Sequence, residues 1–152
     1  MAIDPRGPRT AALITTVMLA AVLITGSGWL LAVQALVFAA GAVFGLRYSP
    51  YGVLYRTLIR PRLGPPRELE SEAPPRFAQA VGLVFAVVGV AGYAAGLTLL
   101  GVAATAAALV AAFLNGAFGF CLGCEMYLLI RRIRPGRQAL ADPDLAENLA
   151  GR

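Results

Sequence analysis

Apolar positions fall in two long blocks. From Thr10 to Leu46 there is no Asp, Glu, Lys or Arg, and there is none from Phe77 to Cys124. Each block far exceeds the roughly 20 residues that cross a hydrocarbon core. Each is also interrupted near its middle, by Gly26-Ser27-Gly28 in the first and by Gly96 and Thr98 in the second, and small polar residues of this kind make turns. The pattern predicts four spans, at about 10–25, 29–46, 76–95 and 99–118. Trp29 and Tyr93 stand beside the two turns, where amphipathic rings favour a membrane interface.

Charge sharpens the picture. The 13 arginines and eight acids are confined to the N-terminus, a central segment and the C-terminal tail, and the chain has no lysine. Residues 47–76 alone hold six arginines, and "RLGPPRELESEAPP" reads as a Pro-rich, mixed-charge linker with little reason to pack. With four spans, all three charged regions share one side. The positive-inside rule puts that side in the cytoplasm, in the inner (plasma) membrane, with both termini cytoplasmic. Arg6 and Arg9 ahead of the first run imitate a signal peptide. The length of that run, the prolines before it and the second span directly after it favour a retained hairpin. A hydrophobic fraction of 59% and a mean hydropathy of +0.72 agree, since a soluble domain is roughly 45–50% apolar.

The halves resemble each other. "PRTA" (8–11) recurs as "PRFA" (75–78), and "FGLRYSPYGVLYRTLIRP" (44–61) aligns without gaps on "FGFCLGCEMYLLIRRIRP" (118–135). The expected organisation is one membrane domain, 1–152, with a repeat unit at 8–61, a linker at 62–74, a second unit at 75–135 and a cytoplasmic tail at 136–152. Units with an even number of spans share one orientation, so the repeat would be parallel, about an axis along the membrane normal. Ser49-Pro50 reads as an N-cap followed by proline at the first helical position. Beyond it Tyr51, Leu54, Tyr55, Leu58 and Ile59 share a face and Arg56 and Arg60 point away, which describes an interfacial helix. The fold expected is thus all-α: four transmembrane helices as two repeated two-helix units, each followed by an interfacial amphipathic helix.

Both cysteines lie in "FGFCLGC". By the alignment a helix begins near Gly123–Cys124 with Cys121 just before it. A continuous helix from Leu99 to Arg134 would be about 54 Å long, well beyond a bilayer. A thiol at a helix N-terminus is favoured as thiolate, and CxxC at a helix start is the arrangement of thioredoxin-like redox sites. Glu125, four residues after Cys121, opposes that effect by its charge or relays a proton. Arg47, aligned with Cys121, is a candidate thiolate or anion stabiliser if the repeat axis brings the two together. Other readings of the pair are inert packing, a structural disulfide, which a reducing compartment disfavours, and zinc shared between two chains, since a structural site needs about four ligands and the chain has no histidine. Asn115 and Gln34 are polar positions within spans, where such side chains bridge helices. Without an ionisable group at mid-span, proton pumping is disfavoured. No phosphate loop, nucleophile triad or metal-ligand cluster is present, and topology accounts for the net charge of +5 without nucleic acid.

"FGFCLGC", "RYSP" and "APPRFAQAVGLVFA" resemble a family of small four-span bacterial membrane proteins, common in actinobacteria, whose function is not established. The resemblance covers nearly the whole chain. It implies membrane location, the CxxC, and a link to sulfur metabolism through thioredoxin-like and rhodanese-like neighbours, but no reaction and no cofactor. The expectation is a membrane thiol redox or sulfur-relay protein, with Cys121 as attacking thiolate or persulfide carrier, Cys124 as resolving thiol, and a cytoplasmic thioredoxin- or rhodanese-like partner. A transporter or channel for a small sulfur compound and a non-enzymatic scaffold are the alternatives.

Overall fold

A computed structural model describes residues 2–64 and 69–133. The expected tail at 136–152, and part of the linker, lie outside the described residues. The helices are α1 (Arg6–Thr25), α2 (Gly28–Val43), α3 (Pro50–Leu54), α4 (Ala73–Ala94), α5 (Thr98–Phe118) and α6 (Leu122–Ile133). Three of them, α1, α4 and α5, are long and apolar enough to cross a membrane. At 16 residues, α2 is about 24 Å long, short of a hydrocarbon core of roughly 30 Å.

Local chemistry sets the boundaries. Asp4 Oδ1 accepts the Arg6 N–H at 3.0 Å, so α1 starts four residues before the expected Thr10. Ser27 Oγ accepts the Leu30 N–H at 3.3 Å and caps α2. The apolar run continues to Leu46, but α2 stops at Val43 because Gly45 takes a left-handed φ of 91°. The helix of the third expected span, α4, begins at Ala73 rather than Arg76: Pro74 and Pro75, linker by composition, sit in its first turn, where a missing N–H costs nothing.

The linker packs more than its composition predicts. Glu70–Ser71 pairs antiparallel with Ala2–Ile3, Ala2 opposite Ser71 and Ile3 opposite Glu70. Glu72 is buried, and its Oε1 accepts the Leu46 N–H at 2.9 Å. This carboxylate ties the linker to the turn that ends α2.

The bundle pairs α1 along α5 and α2 along α4. The pair α4 and α5 also packs closely, whereas α1 and α2 touch only lightly. Leu19, Val22, Leu31, Phe38, Ala86 and Ala108 form the core. A Cβ on Gly92 would lie 2.7 Å from the Gly101 nitrogen, so this glycine sets the close approach of α4 to α5. Large apolar side chains cover the outside: Val17 is 70% exposed, Leu36 71% and Leu99 83%. Such contiguous apolar surface needs an apolar surrounding.

After α3 the chain continues through a π-helical turn at Tyr55–Ile59, closed by Arg60 N–H on the Tyr55 carbonyl, and a 3₁₀ turn at Arg60–Arg62. This alters the expected amphipathic face. Each residue on a helix is worth about 100° of rotation, so the wider π turn shifts the later side chains around the axis. Tyr55 is buried, whereas Leu58 is 52% exposed. Arg56 and Arg60 do not point away; both face a cavity that Tyr55 also lines.

Candidate functional site

Phe118 ends α5, and Gly119, with φ 71°, turns the chain left-handed. Phe44 and Gly45 end α2 in the same way. Three residues separate α5 from α6, and the last of them is Cys121. Its carbonyl accepts the Glu125 N–H at 3.0 Å, and its Sγ accepts the Cys124 N–H at 3.2 Å. Sulfur thus occupies the position that a serine or aspartate oxygen takes as a helix N-cap. The helix starts at Leu122, two residues earlier than the alignment with Ser49-Pro50 predicts, because Cys121 rather than Gly123 caps it.

Cys121 and Cys124 are joined as a disulfide with a Cα–Cα distance of 5.2 Å. The pair is half-buried, and α6 is held against α4 directly beneath it. A Cβ on Gly123 would lie 2.6 Å from both Cα and Cβ of Ala78, so only glycine permits this contact. One turn later the rings of Phe77 and Tyr127 meet at 5.8 Å, and the Arg131 guanidinium lies 5.7 Å from the Tyr127 ring centre. Glu125 in the first turn and Arg131 and Arg132 in the last each suit the helix dipole.

Behind the disulfide is a cavity of about 280 Å³, lined by Cys121, Gly123, Met126, Gln79, Asn115 and Phe38 among others. Asn115 and Gln79 bring amide groups, and Thr15 a hydroxyl, to largely apolar walls. A second cavity, of about 410 Å³, is lined by Arg47, Arg56 and Arg60 together with Asp4, Tyr55 and Glu72. Pro8 and Leu46 belong to both walls, so the cavities adjoin at one end of the bundle.

The candidate residues therefore divide. Cys121 and Cys124 come together, with Glu125 exposed on the adjoining turn. Arg47 faces the second cavity, away from the cysteine cavity. The arginine beside this turn is Arg9, whose Cζ would lie 3.3 Å from a Cβ placed on Gly119. Its counterpart Arg76 donates to the Ala42 and Val43 carbonyls at 2.9 and 3.0 Å, at the end of α2. The recurrence of "PRTA" as "PRFA" carries that signal, but not the fact that each arginine reaches the other half. Gln34 is fully buried, accepting from the Tyr51 hydroxyl at 2.7 Å and donating to Thr15 Oγ1 at 3.5 Å. Among the described residues, no group of three or more His, Cys, Asp or Glu could hold a metal ion.

A family model described as Domain of unknown function (DUF4395) matches residues 3–132, so the chain belongs to that family. No curated protein and no solved structure matches it.

Proposed function

We propose that this DUF4395 protein is an integral membrane thiol–disulfide protein, whose reactive centre is Cys121–Cys124 at the end of a four-span bundle. The observation that carries the reading is the cap: Cys121 precedes a helix, with the Cys124 N–H aimed at its sulfur at 3.2 Å. Such a donor, and the positive end of the helix behind it, stabilise a thiolate.

The exchange is balanced without a cofactor. In the dithiol form the Cys121 thiolate attacks a partner disulfide and expels one partner sulfur as thiolate, giving a mixed disulfide. Cys124, once deprotonated, attacks Cys121 Sγ, expels the second partner sulfur and closes the pair. Two electrons pass to the partner, and the two thiol protons end on its two sulfurs. The reverse sequence oxidises a partner dithiol. As a sulfur relay, the Cys121 thiolate would take the outer sulfur of a partner persulfide, expelling the partner thiolate, and attack by Cys124 on Cys121 Sγ would then release that sulfur as sulfide and close the disulfide. Glu125, exposed beside the pair, is the candidate proton relay.

The apolar exterior supports a membrane setting, and the one-sided arginines support a cytoplasmic face for the pair and both termini. A thioredoxin- or rhodanese-like protein is the partner class proposed. The parallel repeat is proposed on the exchange of Arg9 and Arg76 between halves and on the matching α1–α5 and α2–α4 packing. The transporter reading gains least, because Leu19, Val22 and Leu31 are packed in the bundle interior with no exposed surface.

Trapping tests the proposal. Cys124→Ser lacks the resolving thiol, so a partner attacked by Cys121 should remain attached as a reducible adduct. A Cys121→Ser chain should capture nothing. Equal capture by both variants, or by neither, would refute the assignment of roles.

A further inference from the structure

The second cavity has a composition that the cysteine chemistry does not use. Arg47, Arg56 and Arg60 line it, and among the described residues no side-chain hydrogen bond or salt bridge engages the guanidinium of any of the three. Arg56 Nε is buried without a hydrogen-bond partner. Burying an unsatisfied donor of a charged group is costly, so the cavity is built for an acceptor. The two carboxylates in the wall accept hydrogen bonds from neutral donors and pair with none of the three guanidinium groups. Asp4 accepts from the Tyr55 hydroxyl at 2.9 Å and from the Arg6 N–H at 3.0 Å, and Glu72 accepts from the Leu46 N–H. The π turn that carries Arg56 brings its guanidinium to the wall instead of leaving it on the outer face, and π turns concentrate at functional sites.

We infer that this cavity binds a phosphate-type oxyanion, held by the guanidinium groups of Arg47, Arg56 and Arg60. Guanidinium forks match tetrahedral oxyanions in geometry as well as charge. Beside these polar groups the wall carries apolar Ile3, Ala11, Leu46 and Leu69, so the same chemistry is met by a phospholipid headgroup with its glycerol or by free phosphate. The site is independent of the cysteine pair.

The test uses the full chain in neutral maltoside detergent. One arm titrates inorganic phosphate against chloride at equal ionic strength. The other titrates phosphatidylglycerol, with an uncharged diacylglycerol as control. Both read the thermal unfolding midpoint. Saturable stabilisation in either arm is expected: the phosphate arm responding identifies a free anion, and the lipid arm alone identifies a headgroup. Arg56→Gln should weaken apparent binding at least about tenfold, roughly the loss of one charge-assisted hydrogen bond. Arg56→Lys, which keeps the charge and loses Nε–H, should also weaken it. Arg62→Gln, exposed and outside the cavity wall, should not. If Arg56→Gln does not fold, Arg60→Gln takes its place. No saturable shift in either arm would overturn the inference. So would equal weakening by Arg62→Gln, which would show diffuse charge attraction instead of a site.

Discussion

The Cys124 N–H meets Cys121 Sγ at 3.2 Å, so the first cysteine of the pair caps the helix that carries the second. Sequence spacing alone gives two thiols three residues apart. The cap makes them unequal, because Cys121 Sγ accepts an N–H of the first turn.

The surface beneath the pair should be intolerant of size. Gly123→Val places a branched side chain where a Cβ alone would lie 2.6 Å from Ala78. Overpacking of this kind costs about 1–3 kcal/mol, and α6 should lift from α4. Thermal unfolding in detergent should show a lower midpoint, with a faster reduction of the disulfide. Gly123→Val with unchanged values would mean that α6 is not docked through this glycine.

Gln34 and Tyr51 should be coupled. Their hydrogen bond of 2.7 Å joins α2 to α3 at a site closed to solvent at Gln34. Gln34→Leu strands the hydroxyl and should cost about 1–3 kcal/mol. Tyr51→Phe in the same chain should recover part of that loss. A double-mutant cycle measures it, and strictly additive effects would contradict the bond.

Alkaline pH should loosen the Asp4–Tyr55 contact. Burial chiefly, then the hydrogen bond to Asp4 and its charge, push the Tyr55 hydroxyl above its usual value, with Arg6 and Arg60 pulling the other way. The folded chain therefore holds this proton more tightly than the unfolded one. The resulting stability is complete below about pH 10, the ordinary tyrosine value, and is lost as pH rises through the folded value. The wild-type unfolding midpoint should fall more steeply above about pH 10 than that of Tyr55→Phe. Parallel curves would show that Tyr55 does not carry the effect.

The proposed orientation has a direct check in intact cells. In a Cys121→Ser/Cys124→Ser background, Ser27→Cys should react with an impermeant maleimide, whereas Ser71→Cys should react only after permeabilisation. The reverse pattern would move the cysteine pair to the outer face.

Much of the bundle is legible in the sequence because uncharged runs and glycine turns are local signals: Gly26 and Gly96 both adopt positive φ at the expected breaks. The rest is set by tertiary partners. Apolar continuity to Leu46 cannot reveal that Gly45 turns left-handed against Glu72. Pro74 and Pro75 carry the same composition in a linker as in a first helical turn. The π turn has no periodic signature, so helical spacing puts Arg56 on the outer face. At the site, the spacing of Cys121 and Cys124 is readable, as is a helix start close to them. The alignment that points to Arg47 pairs Gly45 with Gly119, both of positive φ, but cannot show which arginine lies beside the cysteine turn.

The rate of alkylation against pH, measured on Cys124→Ser and Cys121→Ser chains in membranes, tests the central claim most directly. The cap predicts that Cys121 titrates below the ordinary thiol value of about 8.5 and reacts first near neutral pH, while Cys124 titrates higher. It also predicts that mild oxidant converts the wild-type pair to an intramolecular disulfide and that dithiol reductant reverses it. If both thiols titrate at about 8.5 or above, and oxidant closes no disulfide within the chain, the cysteine pair is not a redox centre.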